Sequence, residues 1–471
     1  MAMTVNNLGT LHLLNILSRT SMTQDSVFNR MSTGSKINRG ADDPAGMLAL
    51  ASLDSELRAV NAGISNNQRT DSILGVADGA LAEVSKLLGD VQRLAAATAN
   101  STGLSADEVA ANQAQIDDAL TSIDRIIAST QFNGMKLLDG SLAINADVAT
   151  AGAVTDVRVY SRRPGRDDTT LAVRLSRGAS AAGVSGVVLA GGLSRNSTLS
   201  IQGKLGTAVI QIASNEAISS VAAKINASRA QTGLSADAGG ASGSLRIFST
   251  SRGDSAFVRT KLLDGDSTRV LNRSDTGVDA VVTVNGQVTA VDGDHVSYTG
   301  NGTSLSFNIG TLGVGQSVNI TVRGEGAGGP SGATFNLGSR ADTRATIGLD
   351  GMYAHQLGDA VNGYLSTIKS GGANSLVNDP SKAADIARTA SQQVATLRGR
   401  IGGFQRFQVQ TSLKSLQDTK EGLEKVRSVI NDVDYAAETA ELNRVNVLMQ
   451  TAMSLLAVSN QQSGRVLQLL R

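Results

Sequence analysis

The chain has 471 residues, with 51 Gly, 4 Pro, eight Phe, five Tyr and neither Trp nor Cys. That length exceeds the roughly 100–200 residues of a single domain, and the missing Cys excludes disulfides, thiolate metal sites and a Cys nucleophile. Its 42 Lys and Arg nearly cancel its 41 Asp and Glu, which argues against nucleic acid as a partner, since that needs a concentrated basic surface.

The three histidines, His12, His295 and His355, lie far apart, with no pair at i, i+4 and no HExxH. No metal and no cofactor is therefore expected, and the chain does not read as an enzyme. The start lacks a basic n-region, a continuous apolar stretch and a small-residue cleavage site, so no cleaved signal is expected. No apolar run approaches the roughly 18–20 residues of a membrane span, so no membrane insertion is expected.

Glycine divides the chain: 11 in residues 1–140, 29 in 141–345 and 11 in 346–471. The outer segments carry helical periodicity and the middle reads as strands and turns. The expected fold class is α+β multidomain: a long helical coiled-coil bundle built from both chain ends, with an inserted β-rich outer region.

At the N-terminus, Val5, Leu8, Leu11, Leu14 and Leu17 form one apolar stripe. The segment Arg30–Met47 follows, with Gly34 and Gly40 expected to supply backbone freedom between two helices. Asp43-Pro44 is a helix start, because Asp caps free N–H groups and Pro suits the first helical position. Leu50, Leu57 and Ile64 then recur every seven residues, and Leu53, Val60, Leu74, Leu81 and Leu88 follow the second seam of a heptad pattern. Asn67, Asp71 and Asp78 interrupt it, as polar residues do where register is fixed. Unbroken to Asn100, this helix is roughly 85 Å long at 1.5 Å per residue, so it needs other long helices to lie against. Ile116, Leu120, Ile123 and Ile127 supply one that runs back along it.

In the middle, VVTVNGQVTAV (281–291) places Asn285-Gly286 between alternating apolar runs, a hairpin signal. Residues 295–310 read as a second hairpin through Gly300-Asn301-Gly302. A helix with Ile218, Val221, Ala222 and Ile225 on one face lies between strands, giving a β-α-β unit. Whether the insert is one body or two stays open. Asp264/Asp266 and Asp292/Asp294 lie in Gly-rich turns without EF-hand spacing or a partnering His, and read as solvated turn residues. Arg252-Gly253-Asp254 reads as an ordinary turn.

Toward the C-terminus, Val394, Leu397, Ile401 and Phe404 form a stripe that Leu416, Leu423, Val426, Ile430 and Val433 continue. Two regions some two hundred residues apart thus carry matching seams, and the simplest closure is one bundle. The last stripe, Val445, Leu448, Ala452, Leu455, Ser459, Gln462, Val466 and Leu469, steps by three and four. Together with the N-terminal stripe it is expected to bury against other subunits. Ten such side chains at about 1.5–3 kcal/mol each supply tens of kcal/mol gross on assembly.

Arg30-Met31-Ser32-Thr33-Gly34-Ser35-Lys36-Ile37-Asn38, followed by Ala41-Asp42-Asp43-Pro44-Ala45-Gly46-Met47, closely resembles the signature R-L-S-S-G-x-R-I…A-x-D-D-x-A-G-L of bacterial flagellins. Asp78-Gly79-Ala80-Leu81, Gln131-Phe132-Asn133-Gly134, Asp434-Tyr435-Ala436-Ala437-Glu438 and Asn460-Gln461-Gln462-Ser463 resemble further landmarks of that family. The likeness covers about 140 residues at one end and about 125 at the other. Leu199–Leu263 more weakly resembles the "IN" modules of flagellins and hook-associated proteins. Met31 and Met47 replace the family's Leu, conserving volume, and His12 stands where the family usually carries a neutral or amide residue.

The resemblance implies a structural subunit that polymerises into the flagellar filament for swimming motility. It implies terminal helices of an inner tube at 1–42 and 434–471, a helical bundle domain at 43–145 and 346–433, and an outer insert at 146–345 with the β-α-β module near 198–263. Arg30, Gly34, Ile37, Asp42, Asp43 and Gly46 then belong to the joint between tube and bundle. Leu50, Leu57, Ile64, Leu81, Leu88, Leu397, Ile401 and Phe404 form the bundle seam. The implied partners are copies of the chain in a helical filament, hook-filament junction proteins, the filament cap, and a flagellar export chaperone with the type III export apparatus, making the protein a secreted one. A chain without Cys and poor in aromatics suits export through a narrow channel. Alternatives within the resemblance are the hook-filament junction protein, or a surface adhesin on a flagellin scaffold. In some flagellins an Arg and a Glu on the bundle helices engage a host immune receptor; Asp90 and Gln115 stand at those positions here, with Leu94 retained, which implies weak recognition.

Overall fold

A computed structural model describes residues 8–100, 104–165, 167–188, 193–239, 244–325, 331–340, 342–360 and 362–469 of the chain. Side chains are described for all of these except 8–9, 100 and 462–469. The helices are α1 (Leu8–Thr33), α2 (Pro44–Asn100), α3 (Ala106–Ser129), α4 (Ile218–Ala227), α5 (Arg229–Thr232), α6 (Pro380–Phe404), α7 (Gln410–Asn431) and α8 (Tyr435–Leu469). Strands fill the middle, so the α+β class with helical ends holds. Two compact units divide the chain.

The first unit gathers the described residues up to Ser65, Gly338–Arg340 and those from Ser412 onward. It contains α1, the start of α2, α7 and α8. Leu50, Leu57 and Val60 are buried along α2, while Ile64 is half-buried. Leu416 packs beside Gly63, where a Cβ would sit 3.1 Å from its Cδ1. Arg427 Nε pairs with Asp54 Oδ1 at 3.0 Å. Leu423, Ile430 and Val433 are only half-buried and Val426 is exposed, so the expected α7 stripe is incompletely covered within one copy.

The second unit holds Asn66–Leu337 and Ala341–Thr411. Its helical core is the rest of α2 against α3 and α6. Ser105 and Glu108 form a reciprocal capping box that starts α3, satisfying N–H groups that a helix leaves unpaired. Ile116, Leu120, Ile123 and Ile127 then bury with Leu74, Leu81 and Leu88 of α2 and Val394, Leu397, Ile401 and Phe404 of α6. These side chains share one buried cluster. On α2 the seam runs 67, 70, 74, 77, 81, 84, 88, 91, 95 and 98, in alternating steps of three and four, with Ile73 and Leu94 buried beside it. Asn67 therefore lies in the seam, donating Nδ2 to Leu337 O at 2.6 Å. Asp71 and Asp78 flank it, accepting from Gln405 and pairing with Arg398 Nε at 2.9 Å. The carboxylate of Asp78 raises the pKa of the Arg398 guanidinium.

The insert contains two separate hydrophobic cores. One is a sandwich of a five-stranded and a six-stranded antiparallel sheet, built around Val173, Leu305 and Phe307. Both expected hairpins lie in it: Asn285-Gly286 and Asn301-Gly302 each adopt positive φ at both turn residues, the geometry that matches strand twist. The other core packs α4 through Val221, Ala222 and Ile225 onto strands Ser197–Gly203 and Gly206–Ile212, with neighbouring antiparallel strands. The expected β-α-β unit is thus a helix between two hairpins, because Leu234–Asp237 adds a strand pairing with Arg246–Arg252.

Arg400 of α6 reaches the sandwich. Its guanidinium carbon lies 3.4 Å from the Tyr160 ring centroid, and its Nη1 donates to Ser304 Oγ at 3.0 Å. Burial lowers the pKa of this arginine. A cation over a ring face in a desolvated position is a strong tether.

Candidate assembly surface of the terminal helices

Helices α1 and α8 run antiparallel, as Thr10 opposite Ser459, Gln24 opposite Asn446 and Arg30 opposite Glu438 require. On α1 the covered seam positions are 10, 13, 17, 20, 24, 27 and 31, with Ser26 and Arg30 also half-buried near its C-terminal end. On α8 they include 442, 445, 449, 452, 456 and 459. Both sets alternate steps of three and four, a coiled-coil seam closed within one chain.

This corrects one expectation. Val445 is 1% exposed and buries against α1, so it is not reserved for another subunit. Ala452 is likewise buried. The remaining members behave otherwise: Leu11 is 54% exposed, Leu14 45%, Leu448 44% and Leu455 51%. Leu17 is half-buried at the seam. The stripes read from the sequence straddle the seam, since Leu13, Met449 and Leu456 occupy it instead of Leu14, Leu448 and Leu455. Thr10, Thr20 and Gln24 hide its period, because polar residues at seam positions give no hydrophobic signal. Val5 lies outside the described residues, as do the side chains of Leu8, Val466 and Leu469.

The joint forms where α1 ends and α8 begins. Arg30 grips Glu438 through two bonds, Nε to Oε1 at 2.8 Å and Nη2 to Oε2 at 2.9 Å. Its Nη1 also donates to Ser26 Oγ at 3.0 Å. The Glu438 carboxylate raises the arginine's pKa above its ordinary value. Gly34 ends α1 at φ +69°, the left-handed position that favours glycine. Beyond it the two connectors pair: Lys36 N donates to Asn431 O at 2.5 Å, and Val433 N donates to Gly34 O at 3.2 Å. Tyr435 Oη donates to Met31 O at 3.2 Å.

Asp42 accepts from the backbone N–H of Arg39 and Asn38 at 2.9 and 3.0 Å, and these bonds hold its carboxyl below the usual pKa. Asp43 Oδ1 caps α2 by accepting from Gly46 N at 2.9 Å. Ile37 is buried beside Gly46, where a Cβ would meet its Cδ1 at 2.5 Å. Gly40 differs from the expectation: its φ is not positive and open space surrounds it, so nothing there demands glycine.

Elsewhere, the turn aspartates are not all solvated. Asp266 is buried and accepts from Ser194 Oγ and Thr268 Oγ1, each at 2.5 Å, which hold its carboxyl far below the usual range. Arg252 pairs with Asp294 Oδ2 at 3.0 Å and Asp254 N donates to Asp279 Oδ1, tying that tripeptide into its turn. Asp90 pairs with Arg93 at 3.3 Å, Gln115 is exposed and Leu94 is buried. Among the described residues no cluster of three His, Asp or Glu is placed to hold a metal, and no helix is long and apolar enough to cross a membrane.

Two chain ends zipped into one coiled coil, each still presenting exposed large apolar residues, define a helical-ended subunit with a β-rich insert. Comparison with known proteins gives the family. Residues 5–143 match the bacterial flagellin N-terminal helical region, 384–470 the bacterial flagellin C-terminal helical region, and 198–251 the flagellin hook IN motif. Together these cover more than half of the chain. The chain is 28% identical to a flagellin of Salmonella rubislaw, over 99% of each chain. It is 27% identical to the B-type flagellin of Pseudomonas aeruginosa, over 100% of each. The chain belongs to the flagellins and is a structural subunit of the bacterial flagellar filament, the organelle of swimming motility.

Proposed function

We propose that the chain polymerises through the outward rows of α1 and α8, while the seam between them holds each subunit's two ends together. The supporting observation is the exposure of Leu11, Leu14, Leu448 and Leu455 on helices that are already paired. Surface rows of large aliphatic residues mark interaction sites, and an open filament needs head-to-tail contacts that do not close into a ring. In this reading the tube is built from 1–42 and 434–471, the bundle from 43–145 and 346–433, and the insert 146–345 faces outward. The role is structural, without catalysis. Partners are other copies of the chain, the hook-filament junction proteins at the base and the cap at the tip. The chain is secreted through the flagellar export apparatus with the help of an export chaperone.

Seeded elongation tests the reading. Purified monomer added to sheared filament seeds is expected to lengthen them, and removal of residues 1–20 and 450–471 to abolish this while the bundle and insert stay folded. Elongation by the truncated chain at the full-length rate would overturn it.

A further inference from the structure

The two lobes of the insert meet where the Arg252-Gly253-Asp254 tripeptide lies. The chain leaves the sandwich after strand Thr169–Arg177, builds the lobe that holds α4, and returns through Arg273–Thr276 into Val281–Val284. Residues 178–180 and 277–280 are therefore the two covalent connectors. They pair with each other at one point: Ser180 N donates to Val278 O at 2.9 Å and Val278 N to Ser180 O at 3.2 Å. Two short connectors lying side by side make a hinge, and bodies joined only by such links move against each other by default.

Segments from outside the connectors close over this hinge. Turn 252–255 of the α4 lobe lies on turn 292–294 of the sandwich, with Asp279 between them. A single oxygen, Asp279 Oδ1, accepts from Asp254 N at 3.0 Å and from Gly293 N at 2.9 Å, one donor from each lobe. These bonds, that from Gly293 foremost, hold its carboxyl below the usual pKa. Gly253 N also donates to Ser180 O at 3.1 Å. Gly253 and Gly293 are both buried, and their backbones approach too closely for a side chain. A Cβ on Gly253 would fall 2.6 Å from Gly293 N, and one on Gly293 would fall 2.5 Å from Arg252 O. At the rim, Arg252 Nη1 pairs with Asp294 Oδ2 at 3.0 Å. Ser255 Oγ donates to Asp292 Oδ1 at 3.0 Å and accepts from Lys204 Nζ at 2.6 Å. Buried backbone groups need partners, and here each lobe supplies them for the other in one relative orientation.

We propose that turn 252–255 is a clasp that locks the hinge, so that the sandwich and the α4 lobe behave as one rigid body. The Arg-Gly-Asp tripeptide then serves an internal contact, within one copy of the chain and independently of polymerisation. The chain contains no Cys, so Val209→Cys in the α4 lobe and Val288→Cys in the sandwich, at residues 55% and 75% exposed, carry two spin labels at unique positions. Dipolar distance measurement on the full-length monomer is expected to give one narrow distribution. Asp279→Ala removes the shared acceptor, and Gly253→Ala pushes the two turns apart. Each is expected to lose the narrow distribution and to gain proteolytic cleavage within 252–255. Methyl signals of Ile201 and Ile320, which report the two cores, are expected to persist. Asp279→Asn keeps an oxygen that accepts both bonds, and is expected to keep the distribution narrow. A narrow distribution in both Asp279→Ala and Gly253→Ala would show that the connectors alone fix the lobes and would overturn the clasp. A broad distribution in the otherwise unaltered chain would overturn it too. Loss of the core methyl signals in either variant would make the turn part of a core and not a clasp.

Discussion

Arg30 and Glu438 stand 408 residues apart in sequence and share a two-pronged ion pair, with the arginine end of α1 fixed to the start of α8. Both side chains are mostly covered, at 26% and 17% exposure, so solvent screens the pair less than a surface one. It joins the two ends within one copy of the chain.

Removing one partner leaves the other half-buried without its counter-charge. Arg30→Met is expected to cost about 1–3 kcal/mol, the range for a charge-assisted hydrogen bond to a covered group. Arg30→Lys recovers only part of this, because an ammonium does not reproduce the forked geometry. Amide hydrogen exchange across 435–446 reads the effect directly. Equal protection in all three proteins would show that the pair contributes nothing to holding the helices together.

Gly34 and Gly40 make a matched pair for a backbone test. At Gly34 the φ of +69° penalises any Cβ-bearing residue by about 1–2 kcal/mol. A Cβ there would sit 3.4 Å from Tyr435 Oη, an ordinary contact, so the cost is conformational and not steric. At Gly40 nothing lies within 4 Å and the change to Ala is expected to stay within about 0.5 kcal/mol of neutral. Thermal melts of Gly34→Ala and Gly40→Ala check this, and equal losses would contradict it.

Asp266 predicts a pH dependence confined to the insert. Hydrogen bonds from Ser194 and Thr268 depress its folded pKa well below the roughly 3.9 of an unfolded Asp. A depressed carboxyl contributes stability that is fully present above the unfolded value and is lost as pH falls through the folded one. The melting difference between the unaltered chain and Asp266→Asn is therefore expected to be constant from pH 7 to about 5 and to narrow below about pH 4. Methyl proton signals of Ile201 and Ile247, buried in the same core, follow the melting of this module. A difference that grows on acidification would refute the assignment.

What the sequence makes legible depends on what each residue's neighbours contribute. Leu81, Leu88, Ile116 and Ile123 announce their burial because apolar residues repeating at seam spacing line up on one helix face, which water disfavours leaving bare. Asp43-Pro44 announces a helix start by chemistry alone. Val445 is misread from its stripe, which tells which residues seek burial but not which copy supplies the cover. The seam of α1 hides behind Thr10, Thr20 and Gln24, whose burial follows from pairing with α8 and not from their own hydrophobicity. Asp266 looks solvated in the sequence because its partners Ser194 and Thr268 gain meaning only when the fold brings residue 194 beside the turn.

The two classes of terminal residue separate assembly from folding. Leu14→Asp and Leu455→Asp place a charge on rows that are 45% and 51% exposed in the single chain, so monomer melting is expected to change by less than about 0.5 kcal/mol. If these rows bury on polymerisation, each substitution forfeits about 1.5–3 kcal/mol per subunit contact, raising the critical concentration about ten- to hundredfold. Val445→Asp puts its charge into the α1–α8 seam, where the native side chain is 1% exposed. It is expected to cost about 3 kcal/mol or more in the monomer, so seeds fail to elongate because the ends come apart. Helix content of the monomer, read by circular dichroism beside seeded elongation, distinguishes the cases. Loss of monomer helix in Leu14→Asp, or its full retention in Val445→Asp, would reverse the assignment of which row faces inward.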